Sequence, residues 1–196
     1  MSADRPPSAL PGVRYGAITR FADERGSFRE MWREDTFGPI DPVLAGAPSG
    51  AVPRFVQANL STSATGVLRG LHLHRRQLDH WVVATGRAFV GLVDVRPMLA
   101  GGPTPRIETR ELGPDEWVDI PIGVAHGFLA LEPLELVYFV TNAYDGTDEL
   151  GFAWDDAIAA VPWPTAATRD GRPILSERDR SNPSLEILIA RLQPEA

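Results

Sequence analysis

The run Trp81-Val82-Val83-Ala84-Thr85-Gly86-Arg87-Ala88-Phe89-Val90-Gly91-Leu92-Val93-Asp94-Val95 reads as two short apolar strands on either side of a glycine-marked turn. The second, Ala88 to Val95, is apolar on both faces, as a strand inside a two-layer barrel or at a dimer interface must be. Working outward, runs of the same kind recur at Arg54 to Asn59, Trp117 to Ile120 and Leu134 to Thr141, between turn signals drawn from 18 Gly and 18 Pro. Phe55 to Leu60 alternates instead, with Val56, Ala58 and Leu60 on one face and Phe55, Gln57 and Asn59 on the other. Short strands at this spacing predict an all-β barrel. Near the end, Asn182-Pro183 starts a helix with proline at its first position. Leu185, Leu188, Ile189 and Leu192 give that helix one apolar stripe to pack on the barrel.

A chain of 196 residues that is 43% hydrophobic can bury one substantial core. Residues 12–196 are read as a single domain behind a flexible segment, residues 1–11, and the Pro/Gly run Gly101 to Pro105 reads as a second loose stretch. The net charge of −7 argues against a nucleic-acid binder, so an anionic substrate must be gripped by locally placed arginines. The first twenty residues hold no apolar stretch and no run has the length of a membrane span, so a cytoplasmic location is expected. Without cysteine, thiolate catalysis and cysteine-ligated zinc are excluded, and any metal must use nitrogen and oxygen ligands.

All four histidines fall in two short segments, Arg69-Gly70-Leu71-His72-Leu73-His74 running on to His80, and Pro121-Ile122-Gly123-Val124-Ala125-His126-Gly127-Phe128. Imidazoles placed this way suit proton transfer or metal ligation. Asp94 and Arg96 read as a structural ion pair, and Arg25-Gly26 as a turn.

The blocks Asp23 to Glu30, Gln57 to Ser61, Gly66 to His72, Val93 to Arg96, Pro121 to Phe128, Trp154 to Asp156 and Ser176 to Asp179 occur in the order found in the dTDP-4-dehydrorhamnose 3,5-epimerase family, and over roughly residues 12 to 185 the chain resembles it. The resemblance implies a cupin-type jelly roll with a few short peripheral helices, assembled as a homodimer. It also implies a cofactor-free enzyme of deoxysugar biosynthesis, an isomerase that removes and returns a proton at C3 and/or C5 beside the C4 ketone of a dTDP-4-keto-6-deoxyhexose. Such chemistry needs a base, an acid on the other face and a group that stabilises the enolate oxygen. By resemblance His72 is the base, Asp179 the carboxylate that orients it and Tyr138 the phenol that reprotonates. Arg25, Phe28, Glu30, Gln57, Asn59, Arg69, His126 and Tyr144 match substrate-binding positions. The family usually has an aromatic residue and then glutamine after the histidine, followed by a Gln-x-Lys whose lysine serves the oxyanion. Here His74 takes the glutamine's place and Gln77-Leu78-Asp79 puts an acid at the lysine's, after a loop about three residues shorter. Arg69, His74 or His80 would then have to supply the missing donor.

These departures open a second reading. Gly66, His72, His74, Asp79 and Gly86 keep the spacing of the first cupin metal motif with aspartate in place of glutamate, and Pro121-x-Gly123-x-x-His126 follows the second. On a strand His72 and His74 point to the same side, so His72, His74, Asp79 and His126 could bind Fe, Mn, Ni or Zn. A third reading is a non-catalytic cupin that binds a sugar nucleotide.

Overall fold

The computed structural model describes residues 6–34, 40–47 and 50–193. Two five-stranded antiparallel sheets enclose the core. The first has the order β1 (Arg14–Ala17), β9 (Glu116–Ile120), β6 (Asp79–Thr85), β11 (Leu134–Val140), β4 (Gln57–Ser63). The second has the order β12 (Leu150–Gly151), β5 (Leu68–Leu73), β10 (Val124–Ala130), β7 (Ala88–Asp94), β8 (Arg106–Leu112). A separate hairpin pairs β2 (Arg20–Asp23) with β3 (Gly26–Arg29), so Arg25-Gly26 lies at its turn. The strands are joined in jelly-roll fashion, with neighbours in space drawn from distant parts of the chain.

The two-faced apolar character of β7 has a local explanation. Its inward residues Ala88, Val90 and Leu92 meet Trp81, Val83, Val118, Leu134 and Leu136 of the facing sheet. Its outward residue Val93 belongs to a second cluster with Phe152, Ala159, Val161, Leu185 and Leu188. The chain's own C-terminal third therefore covers this face. Gly91 permits the close approach, because a Cβ there would stand 2.8 Å from the Trp163 ring. Burial of Leu185 and Leu188 contributes about 1.5–3 kcal/mol each and fastens the final helix to the sheet.

That helix, α3 (Leu185–Leu192), follows α1 (Arg96–Leu99) and α2 (Glu177–Ser181). It starts at Leu185, not at Pro183: Ser184 is the cap, its Oγ accepting from the Ile187 amide at 3.3 Å, while Asn182 closes α2. The hydroxyl satisfies a helix-end amide that proline cannot. Strand β4 also lies later than the run Arg54 to Asn59, ending at Ser63. Its Ser61-Thr62-Ser63 end lacks an apolar signal yet pairs in register with Leu134 to Leu136. Asp94 and Arg96 form the expected pair, Arg96 Nε donating to Asp94 Oδ1 at 2.7 Å. Of the segment read as loose, residues 1–5 lie outside the described residues. Residues 6–11 are tied to β8, with the Ala9 amide donating to Glu108 at 2.7 Å and Leu10 in the core. Among the described residues no helix is long and apolar enough to cross a membrane.

Candidate active site

At one end of the sandwich the inward residues change from apolar to polar and enclose a cavity of about 510 Å³. Strand β4 turns Gln57, Asn59, Ser61 and Ser63 inward and leaves Ala58, Leu60 and Thr62 exposed, an inversion of the usual pattern. From this sheet Gln57, Asn59, Asp79 and Tyr138 line one wall; Arg69, His72 and His126 line the other. His72 and His126 are direct register partners across β5 and β10 and so share a face. Two glycines let these strands approach closely. A Cβ on Gly70, whose φ is +134°, would lie 2.6 Å from the Cα of Gly127.

His72 Nε2 lies 2.8 Å from Asp179 Oδ1. A carboxylate only accepts, so the neutral ring carries its proton on Nε2 and keeps a lone pair on Nδ1. Ser176 caps α2 by accepting from the Asp179 amide at 3.1 Å, which fixes the aspartate where β5 passes. Burial raises the Asp179 carboxyl, but the hydrogen bond and charge of His72, with Ser176 and Arg178, outweigh it and hold the group below its ordinary value. An ionised Asp179 stabilises an imidazolium formed on His72. Tyr138, half-buried on the opposite wall, has its phenol pushed above the ordinary value by burial and by Asp79, and so remains a proton donor at neutral pH.

Gln57 and Asn59 are linked side chain to side chain at 2.8 Å, and Gln57 Oε1 accepts from the Tyr144 amide at 3.0 Å. This places the exposed Tyr144 at the cavity mouth. Arg69 is braced by Ser63 Oγ at 3.1 Å and the Thr62 carbonyl at 3.2 Å. The cavity also includes Ser61, Gln77, Trp81, Glu149 and Arg178, which the sequence reading did not single out. Arg178, paired with Glu149 at 2.6 Å, stands next to Asp179 in the quoted Ser-Glu-Arg-Asp block. Its adjacency was the available signal.

Two expectations need correction. Among the described residues the group able to hold a metal comprises His74, Asp79 and His126, and His72 is not in it, being engaged with Asp179. His80 cannot serve an oxyanion in this cavity. It lies on the opposite face of β6 from Asp79 and Trp81, packed among Phe55, Trp117 and Phe139 and bonded to Asp119. It borders a different space, of about 420 Å³, with Trp32 and Phe55. His126 is buried against Trp81, and burial lowers its pKa to about 4 despite the nearby Asp79. Arg25, Phe28 and Glu30 sit on or beside the exposed β2–β3 hairpin, outside the cavity of their own chain.

Residues 7–186 match the family model described as dTDP-4-dehydrorhamnose 3,5-epimerase. The enzyme of that name from Pseudomonas aeruginosa is 35% identical over 181 residues, covering 88% of this chain and 90% of the relative. The rmlC epimerase of Mycobacterium tuberculosis superposes with a TM-score of 0.78 at 30% identity, covering 100% of this chain and 94% of that one. ChmJ, a 3'-monoepimerase from Streptomyces bikiniensis solved with dTDP-quinovose, superposes with a TM-score of 0.75 at 27% identity, covering 95% and 89%. Jelly roll, interior cavity and sequence thus agree, and the chain belongs to the dTDP-4-dehydrorhamnose 3,5-epimerase family.

Proposed function

We propose that the chain epimerises a dTDP-4-keto-6-deoxyhexose at C3 and/or C5. The observation that carries this reading is a histidine–carboxylate pair, His72 and Asp179, facing a phenol, Tyr138, across one cavity. His72 Nδ1 takes the proton from the carbon next to the ketone, and the C–H electron pair passes into the enolate, with charge on the C4 oxygen. Asp179 stabilises the imidazolium. Tyr138 then returns a proton from the opposite wall, which inverts the centre. Arg69, held by β4, has guanidinium N–H donors suited to phosphate oxygens, and the Gln57–Asn59 pair can read sugar or base.

A homodimer completes the proposal. Phe21 and Phe28 on the hairpin, Val56 just before the edge strand β4 and Leu60 on it are 60–69% exposed, a set of apolar side chains suited to burial against a second copy. Arg25, Phe28 and Glu30, which do not reach their own cavity, would contact substrate through such pairing.

The test is incubation with dTDP-4-keto-6-deoxyglucose in D2O, following C3–H and C5–H by NMR. Exchange at both positions marks a 3,5-epimerase and exchange at C3 alone a 3-epimerase. Binding of dTDP with exchange at neither position would leave a sugar-nucleotide-binding module and reject the enzyme.

A further inference from the structure

The cavity holds three polar side chains, His74, Asp79 and His126, to which the proton-transfer steps assign no part. His74 Nδ1 lies 2.7 Å from the Asp148 carbonyl and His126 Nδ1 3.1 Å from the Val124 carbonyl. Carbonyls only accept, so both neutral rings carry their proton on Nδ1 and present Nε2 as a lone pair. Asp79 faces them from the other sheet, its Oδ2 3.6 Å from His126 Nε2. One donor atom from each of the three residues falls within 4.8 Å of the others, and all three side chains are buried. Lone pairs converging on one point suit a cation or a hydrogen-bond donor held among them. Ligand atoms ~2.0–2.2 Å from one tetrahedral ion are themselves about 3.4 Å apart, and His126 Nε2 and Asp79 Oδ2 stand at 3.6 Å. The supporting contacts are also those of a metal site. Each ring's second nitrogen is fixed by a carbonyl, and Asp79 accepts from Gln77 Nε2 at 2.7 Å and Trp81 Nε1 at 3.1 Å.

We propose that His74, Asp79 and His126 form a three-point site for a divalent transition-metal ion such as Zn2+, Mn2+ or Fe2+. His72 stays outside the site, so metal binding and base chemistry do not compete for one ring. Two imidazoles and one carboxylate leave coordination positions open toward the cavity. On the epimerase reading, on which this second step rests, the ion supplies the positive charge that the enolate oxygen requires and that Asp79 alone would oppose. The proton leaves carbon for His72 and returns from Tyr138, and the ion changes neither oxidation state nor atom count.

The experiment uses the full chain, stripped with EDTA and titrated with Co2+, whose visible ligand-field bands report imidazole and carboxylate ligation. One equivalent should bind, and Zn2+ should displace it and raise Tm, since the ligands bridge both sheets. His126→Gln and Asp79→Asn should each weaken Co2+ binding about a hundredfold, while far-UV circular dichroism verifies that they are folded. Stripped protein should lose solvent exchange at C3 and C5 by roughly 10²–10³-fold and regain it with Zn2+. Co2+ binding that is absent, or unchanged in both variants, overturns the site; full exchange by stripped protein overturns the ion's role. Tight binding without exchange in any metal state supports the site and rejects the epimerase reading instead.

Discussion

Two histidine–aspartate pairs sit on different sheets of the sandwich, His72 on β5 facing the cavity and His80 on β6 facing away from it, and differ in little but their surroundings. His72 and Asp179 meet at 2.8 Å, with the ring 25% exposed in the cavity. His80 and Asp119 meet at 2.6 Å, with the ring 1% exposed. The second pair is closed in by aromatic rings and its carboxylate is shared with Arg14 at 2.7 Å. Hydrogen-bond geometry therefore does not distinguish an acid–base pair from a structural one. Access to a substrate-sized space and an acid on the far wall do, and only His72 has both.

Substituting each histidine should separate the pairs. His72→Ala is expected to lower solvent exchange by about 10²–10⁴-fold while dTDP affinity stays within about tenfold, because a base acts in the transition state. His72→Gln keeps a donor toward Asp179 and should lose the same activity, so the effect belongs to the missing base. His80→Ala should instead cost about 3 kcal/mol, since it strips a partner from a buried carboxylate. That corresponds to a fall in Tm of roughly 6–12 °C for a chain of this size. Exchange rates by NMR and melting by calorimetry provide the two readouts. If the variants exchange roles, the assignment of the pairs is reversed.

Tyr138→Phe sharpens the contrast by removing the acid opposite the first pair. The base can still withdraw a proton and return one from its own side. Deuterium should therefore enter C3 or C5 while inversion falls by about 10²-fold or more. Equal loss of both would make Tyr138 a packing residue of β11.

Much of this arrangement was legible in the sequence, for particular reasons. The doubly apolar Ala88 to Val95 announced a covered strand because it has no polar face to give to water, although its partners were found only in three dimensions. The alternation of Phe55 to Leu60 was visible too, but which face turned inward was not. The polar face of β4 is buried because it lines a cavity, while Leu60, and Val56 just before the strand, point out. Spacing alone put His72 with His74 as chelators; the side chain of Asp179, 107 residues distant, took His72 away. His80 was misplaced for a simpler cause. One residue along a strand exchanges faces, and nothing local in Leu78-Asp79-His80-Trp81 marks which face holds the site.

A smaller effect distinguishes the pairs through Asp179. Its carboxyl is held below the ordinary value in the folded chain, as His72, Ser176 and Arg178 together outweigh the effect of burial. The unfolded chain binds the proton more readily, so stability rises with pH across the interval between the two values. The contribution is complete above the unfolded value, about pH 4, and is lost as pH falls through the lower folded one. Wild type and Asp179→Asn should therefore differ at about pH 5 and converge in stronger acid. In His72→Gln the convergence should begin at higher pH, because the ring's hydrogen bond and charge are what hold the carboxyl down. Urea denaturation at a series of pH values measures both. A gap between wild type and Asp179→Asn that persists undiminished to about pH 2 would show that His72 does not depend on an ionised partner.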